Sequence, residues 1–172
     1  MRVGEFYYDV LHAISIWEPK SEYTTELKYR NDLITFLRET LNAEASASSA
    51  IWGFEHSGYH FIKKEDGRSL ADIGIDDEIG IELKRNLKQK TQINRLVGQV
   101  VDFLNSYSFV IVVLCGKVEP EAVAVLKYNL KQILRSFSSP FEQEKSIKIV
   151  SKCKNNKVKR RKKMDSVISV SL

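Results

Sequence analysis

The sequence predicts an α/β fold, a central mixed β-sheet flanked by helices. Three observations predict it. Segments 21–42 and 91–107 repeat apolar residues at the helical period. Between them, residues 51–84 break into short alternating runs separated by Gly, Asp and Glu clusters. After them comes FVIVVLCG (109–116), an uninterrupted apolar run of the kind a strand shows when covered on both faces.

Taken in order, residues 5–16 form a short amphipathic segment stopped by Pro19. The helix over 21–42 carries Leu27, Leu33, Ile34, Leu37 and Leu41, with Ser21 as its N-cap. NAEASASSA (42–50) is small and polar, a loop or a frayed helix end. Strands follow as IWGFEH, GYHFIKK, SLADIGI and EIGIELK. On the helix 91–107, Ile93, Leu96, Val97, Val100, Val101 and Leu104 make one buried face. Pro120 opens a helix to Phe137 bearing Ala122, Val123, Val125, Leu126, Leu130, Ile133 and Leu134. SIKIVSK (146–152) and DSVISVSL (165–172) read as closing strands. The expectation is one domain over 1–172, with a helical segment at 1–19 and a basic segment at 151–172.

Composition removes several function classes. The chain has 172 residues, 28% charged and 10% aromatic, as a globular domain has and a disordered one lacks. No apolar run is long enough to span a membrane, and MRVGEFYYDV lacks the apolar stretch of a signal peptide. An intracellular protein, cytoplasmic or nucleoid-associated, is the expectation. Cys115 and Cys153 make neither a disulfide framework nor a zinc site, and Cys115 reads as packing. No phosphate-cradling glycine loop or serine-nucleophile motif is present.

The 27 Lys and Arg exceed the 22 Asp and Glu, but unevenly. Residues 151–163 hold Lys152, Lys154, Lys157, Lys159, Arg160, Arg161, Lys162 and Lys163 and no acid. Without those eight, 19 basic residues face 22 acidic ones, so the body carries about −3. A basic cluster on an acidic body points to a polyanion partner, nucleic acid before an anionic membrane surface, with a solvated tail or address as the plain alternative.

The chemically informative stretch is SLADIGIDDEIGIELKRN (69–86). Strand alternation puts Glu82 and Lys84 on one face of 78–84 and Ile79, Ile81 and Leu83 on the other. A three-residue loop at Asp76, Asp77 and Glu78 then sets Ile75 against Ile79, Gly74 against Gly80 and Ile73 against Ile81. Asp72 lands opposite Glu82, at the roughly 4.5–5.5 Å Cβ spacing of cross-strand partners. Gly74 and Gly80 are expected to leave that face uncrowded. Two facing carboxylates repel unless a cation lies between them, and a hard ion such as Mg²⁺ takes such oxygen ligands. The alternative is an exposed hairpin with a solvated salt bridge.

Asp72-x(9)-Glu82-x-Lys84, on a hairpin after an acidic-headed helix and before a helix and an apolar strand, resembles the PD-(D/E)xK nuclease superfamily. That superfamily includes restriction endonucleases, archaeal Holliday-junction resolvases and RecB-like nucleases. The resemblance covers about residues 21–116 and rests on the order of short motifs, with Ala71 where the family has proline. It implies a restriction endonuclease-like core of αβββαβ order and a Mg²⁺- or Mn²⁺-dependent deoxyribonuclease hydrolysing phosphodiester bonds. By it, Asp72, Glu82 and the Leu83 carbonyl would hold the metal and Lys84 would position the attacking water. Glu26 would be the glutamate that members carry on the first core helix, binding a second metal or an ordered water. It shares the face of Leu33 and Leu37 and is preferred to Glu22, whose place at the helix start the dipole alone explains. Gln99 and Phe103 fall where RecB-like members carry Q-x-x-x-Y, with phenylalanine in the tyrosine position. Gln99 would support the nucleophile or the phosphate; its other reading is a cap on the buried stripe.

The implied partner is DNA, gripped without sequence reading by the basic residues 152–163. A homodimer is compatible with the way many relatives cut two strands. Lys88, Lys90 and Arg95 lie beside the expected cleft as phosphate contacts or solvated charges. His60, in the strand before Asp72, reads as a core or surface histidine rather than a ligand. The rival function is a non-catalytic nucleic-acid-binding module that retains the fold. A third is a protein-interaction domain with a basic tail.

Overall fold

The computed structural model describes residues 3–43, 59–64, 70–137, 145–152 and 167–170. Its elements run α1 (Val3–Ile16), α2 (Glu26–Leu41), β1 (Ile62–Lys64), β2 (Ile73–Ile75), β3 (Ile79–Arg85), α3 (Lys90–Ser106), β4 (Phe109–Cys115), α4 (Pro120–Phe137), β5 (Ser146–Lys152) and β6 (Val167–Val170). The six strands form one mixed sheet in sequence order. β1, β2 and β3 are antiparallel, β3, β4 and β5 are parallel, and β6 returns antiparallel to β5. The α/β architecture with helices on both faces is therefore as expected, although the strand expected at 51–56 lies outside the described residues.

Two apolar cores sit on the two faces of the sheet. One unites Phe6, Val10, Ile14 and Trp17 of the first helical segment with Leu33 and Leu37 of α2 over Ile73, Ile75, Ile79, Ile81 and Leu83. The other unites Leu96, Val100 and Phe103 of α3 with Leu126 and Leu130 of α4 over Val110, Val112, Leu114, Ile147 and Ile149. The period of two in β3 and β4 thus feeds alternate residues to opposite layers. On α4, Ala122, Leu126, Leu130 and Leu134 are buried, whereas Val125 faces outward. The segment before Pro19 packs into the core as a full helix.

The hairpin has the expected register. Ile75 pairs with Ile79, Gly74 with Gly80 and Ile73 with Ile81. Asp76 and Asp77 adopt φ of 51° and 56°, and the Glu78 N–H donates to the Ile75 carbonyl at 3.0 Å. Aspartate tolerates this left-handed backbone better than most residues do, which is why the acids occupy the turn. Their side chains also tie down β1: Asp76 accepts from the Phe61 N–H at 2.7 Å, and Asp77 accepts from Lys63 Nζ at 2.6 Å.

Two expectations need correction. α2 begins at Glu26 with Thr25 as N-cap, its hydroxyl accepting from the Lys28 N–H, rather than at Ser21. Arg85 Nε takes the Tyr23 carbonyl at 3.0 Å and the Lys20 N–H donates to Asp32 at 3.0 Å, so tertiary contacts hold residues 20–25 out of the helix. Leu27 is consequently exposed on the first turn. The face over Gly80 is not open either, because the Tyr107 ring fills it. A Cβ at Gly80 would lie 2.6 Å from Tyr107 Cδ2, so the glycine is required by close packing. Gly80→Ala is expected to lower stability by about 1–3 kcal/mol through overpacking. Urea unfolding measures it; a midpoint equal to that of the parent would show that Tyr107 moves aside freely.

Candidate active site

Pairing between β2 and β3 stops at Ile73–Ile81, but β3 continues beside β4 as far as Arg85–Cys115. From Glu82 onward β3 therefore has one vacated edge. Asp72 covers the start of it, its Oδ2 accepting the Leu83 N–H at 2.9 Å. The predicted Asp72–Glu82 juxtaposition is thus made by side chains, since the backbone ladder has already ended. The N–H and C=O of one strand residue point to the same edge, so the Leu83 carbonyl faces this opening while its side chain is buried in the core.

Glu82 and Lys84 share a face of β3, as alternation predicts. Lys84 Nζ donates to Glu82 Oε1 at 3.1 Å and stands 3.7 Å from Glu26 Oε2. Glu26 reaches this point from the first turn of α2, and its Oε1 accepts the Arg85 N–H at 2.9 Å. Glu22 lies in the exposed segment before α2, so Glu26 is the acid that reaches β3. A cleft of about 150 Å³ opens here, lined by Glu26, Lys84, Arg85, Leu87, Gln92 and Arg95. It lies at the carboxyl end of β3, where the crossover to α3 begins, a common place for ligand sites in α/β sheets.

Burial dominates the electrostatics. Glu82, with a side chain only 4% exposed, is pushed up to about 7, first by burial and then by the nearby charge of Asp72, against the pull of Lys84. Asp72 is also raised by burial, although the Leu83 N–H, Lys84 and Arg30 oppose the rise. Both carboxylates thus hold their protons more firmly than in water, chiefly because they are covered.

α3 contributes the far wall. The Gln92 amide oxygen accepts the Lys88 and Gln89 N–H groups at 3.1 and 3.0 Å, fixing the start of the helix beside the cleft. Arg95 follows on the same face, and Gln99 one turn further on. The Gln99 side-chain oxygen is enclosed and has no hydrogen-bond partner. Phe103, 1% exposed, belongs to the core, which accounts for an aromatic ring without a hydroxyl there. Lys88 and Lys90 are exposed beyond the cleft.

Other candidates lie elsewhere. His60 is at the hairpin end of the sheet, stacked on Phe6 and 2.7 Å from Asp76 Oδ2, where it acts structurally. Of the basic cluster, Lys152 is described, and its Nζ donates to the Ser15 carbonyl at the end of α1. Lys154, Lys157, Lys159, Arg160, Arg161, Lys162 and Lys163 lie outside the described residues. Among the described residues, no three His, Cys, Asp or Glu side chains form a ready ligand set. No described helix is long and apolar enough to cross a membrane.

One residue of the site was not singled out from the sequence. Arg30 NH1 lies 3.7 Å from Asp72 Oδ1, and its side chain is 12% exposed. The signal was present: Arg30 continues the row of Leu33 and Leu37, and an arginine on a buried helical stripe needs an anion. Comparisons with protein-family models, curated proteins and solved structures find no match to this chain.

The raised acids have a measurable consequence. Folded Glu82 holds its proton to about 7, against an ordinary value of 4.5, so folding takes up protons between those values. The stabilising effect of protonation is full at low pH and is lost as pH rises through the window. In chelator, Glu82→Gln is expected to gain stability relative to the parent as pH rises from about 4.5 to about 7. Parallel denaturation profiles for the two proteins would contradict this.

Proposed function

We propose that this chain is a metal-dependent DNA nuclease of the PD-(D/E)xK type, with a restriction endonuclease-like core, that hydrolyses phosphodiester bonds. The observation that carries the reading is the lysine–carboxylate cluster at the end of β3. Lys84 Nζ lies 3.1 Å from Glu82 and 3.7 Å from Glu26, on a strand whose Leu83 N–H holds Asp72. The αβββαβ order from α2 to β4 agrees with it.

The donor chemistry fits a hard divalent cation. Asp72 and Glu82 offer carboxylate oxygens, and Leu83 offers a carbonyl at the vacated edge. Mg²⁺ is commonly bound by one or two carboxylates with waters and substrate phosphate, without a closed protein cage. When bound, the ion supplies Lewis-acid charge at the scissile phosphate. Lys84 then orients the attacking water and offers its ammonium to charge developing on the phosphoryl oxygens. Glu26 steadies Lys84 while its second oxygen stays anchored on the Arg85 N–H. Gln99 has an enclosed acceptor able to take a hydrogen bond from water or a bound group. Arg95 and the basic residues from Lys154 to Lys163 would contact backbone phosphates, a sequence-independent and salt-sensitive interaction.

Cleavage of supercoiled and branched DNA, with Mg²⁺ or with chelator, tests the reading. Asp72→Ala and Lys84→Ala are each expected to lower the rate by about 100-fold or more while the proteins remain folded. Metal-dependent cleavage surviving both substitutions would refute the site. Binding of every substrate without cleavage would favour the non-catalytic module instead.

A further inference from the structure

Arg30 belongs to the cluster but to none of the roles given above. It lies four residues after Glu26, so both side chains leave α2 on one face toward the end of β3. Its Nε is enclosed and has no hydrogen-bond partner. Its contact with Asp72, at 3.7 Å, is an ion pair too long for a hydrogen bond. Asp72 meanwhile gives its other oxygen to the Leu83 N–H and so cannot turn both oxygens to the guanidinium. A guanidinium has five donors in a planar fork, and among the described residues this one has a single loose ion pair to set against them. An apolar residue would fill this place on the stripe at less cost if packing were its whole purpose.

The group that would complete Arg30 is a second anion with forked oxygens, as a phosphodiester has. The charge of the cluster favours it. Glu26, Asp72 and Glu82 are answered there by Arg30 and Lys84, with Arg85 and Arg95 on the wall of the cleft. A bound divalent cation would leave the cluster clearly positive and so would favour an added anion.

We propose that Arg30 binds the substrate phosphodiester, its guanidinium taking a non-bridging phosphate oxygen beside Asp72 and Glu82. This deepens the nuclease reading of the same site and rests on it. With a cation on the Asp72 carboxylate, Arg30 would be left to pair with the phosphate. Arg30 is then a substrate-binding residue, and Asp72 only holds it ready.

Binding of a DNA duplex to the full chain in Ca²⁺ across a salt series, with Mn²⁺ binding to the protein alone, tests this. Arg30→Gln is expected to weaken DNA binding about tenfold and to lower the slope of log affinity against log salt by about one, the signature of one lost phosphate contact. Its Mn²⁺ affinity should be unchanged or tighter. Arg30→Lys, the gentler variant, should keep the salt slope but bind DNA several-fold more weakly, because it keeps the charge and loses the fork. If Arg30→Gln does not fold, an Arg30→Lys affinity equal to the parent's overturns the proposal. Weaker Mn²⁺ binding with DNA affinity and slope intact would make Arg30 a positioning residue for Asp72 and overturn it too. If the parent cleaves DNA and Arg30→Gln binds and cleaves equally well, the Arg30 role fails and the nuclease reading stands. A parent that neither binds nor cleaves DNA refutes both.

Discussion

β3 is paired on both edges only as far as Ile81, and everything in the candidate site depends on that unequal pairing. On one side β4 supports it through Arg85. On the other, β2 ends and leaves backbone donors that need partners. Asp72 supplies one by capping the Leu83 N–H, and Glu26 supplies another by capping the Arg85 N–H. Two acids are thus drawn to the strand by ordinary backbone chemistry, on either side of Lys84. The cluster is built from the requirements of a sheet edge.

Holding those acids under cover has an electrostatic cost. Burial raises both Asp72 and Glu82, the charge of Asp72 raises Glu82 further, and that of Glu26 adds to the rise of Asp72. Lys84 and Arg30 offset part of it. A fold that needed only stability would be served better by apolar residues, since a buried ion cluster is often no more stable than its apolar replacement. Charge retained under cover beside a cleft marks the candidate site, and the proposed function gives it a divalent cation and a phosphodiester to hold.

Much of this could be read from the sequence because it follows from short-range rules. The register of Ile73, Gly74 and Ile75 against Ile81, Gly80 and Ile79 follows from matching residue character across a three-residue turn. The shared face of Glu82 and Lys84 follows from a period of two. The inward direction of Glu26 follows from its spacing to Leu33 and Leu37. What escaped the sequence depends on tertiary contacts. Tyr107 lies against Gly80 from after α3, and no local pattern announces it. The start of α2 is set by Arg85 holding the Tyr23 carbonyl, 62 residues away in the chain, which overrides Ser21 as a cap. Arg30 was on the right helical row, but among so many charged residues its burial shows only when β3 and Asp72 are in place.

Anomalous diffraction from crystals of the protein soaked in Mn²⁺ tests the proposed metal site most directly. One ion is expected within coordination distance, about 2.0–2.3 Å, of carboxylate oxygens from both Asp72 and Glu82, with Lys84 displaced from Glu82. An ion bound elsewhere, or a Lys84–Glu82 pair that persists at saturating Mn²⁺, would contradict it.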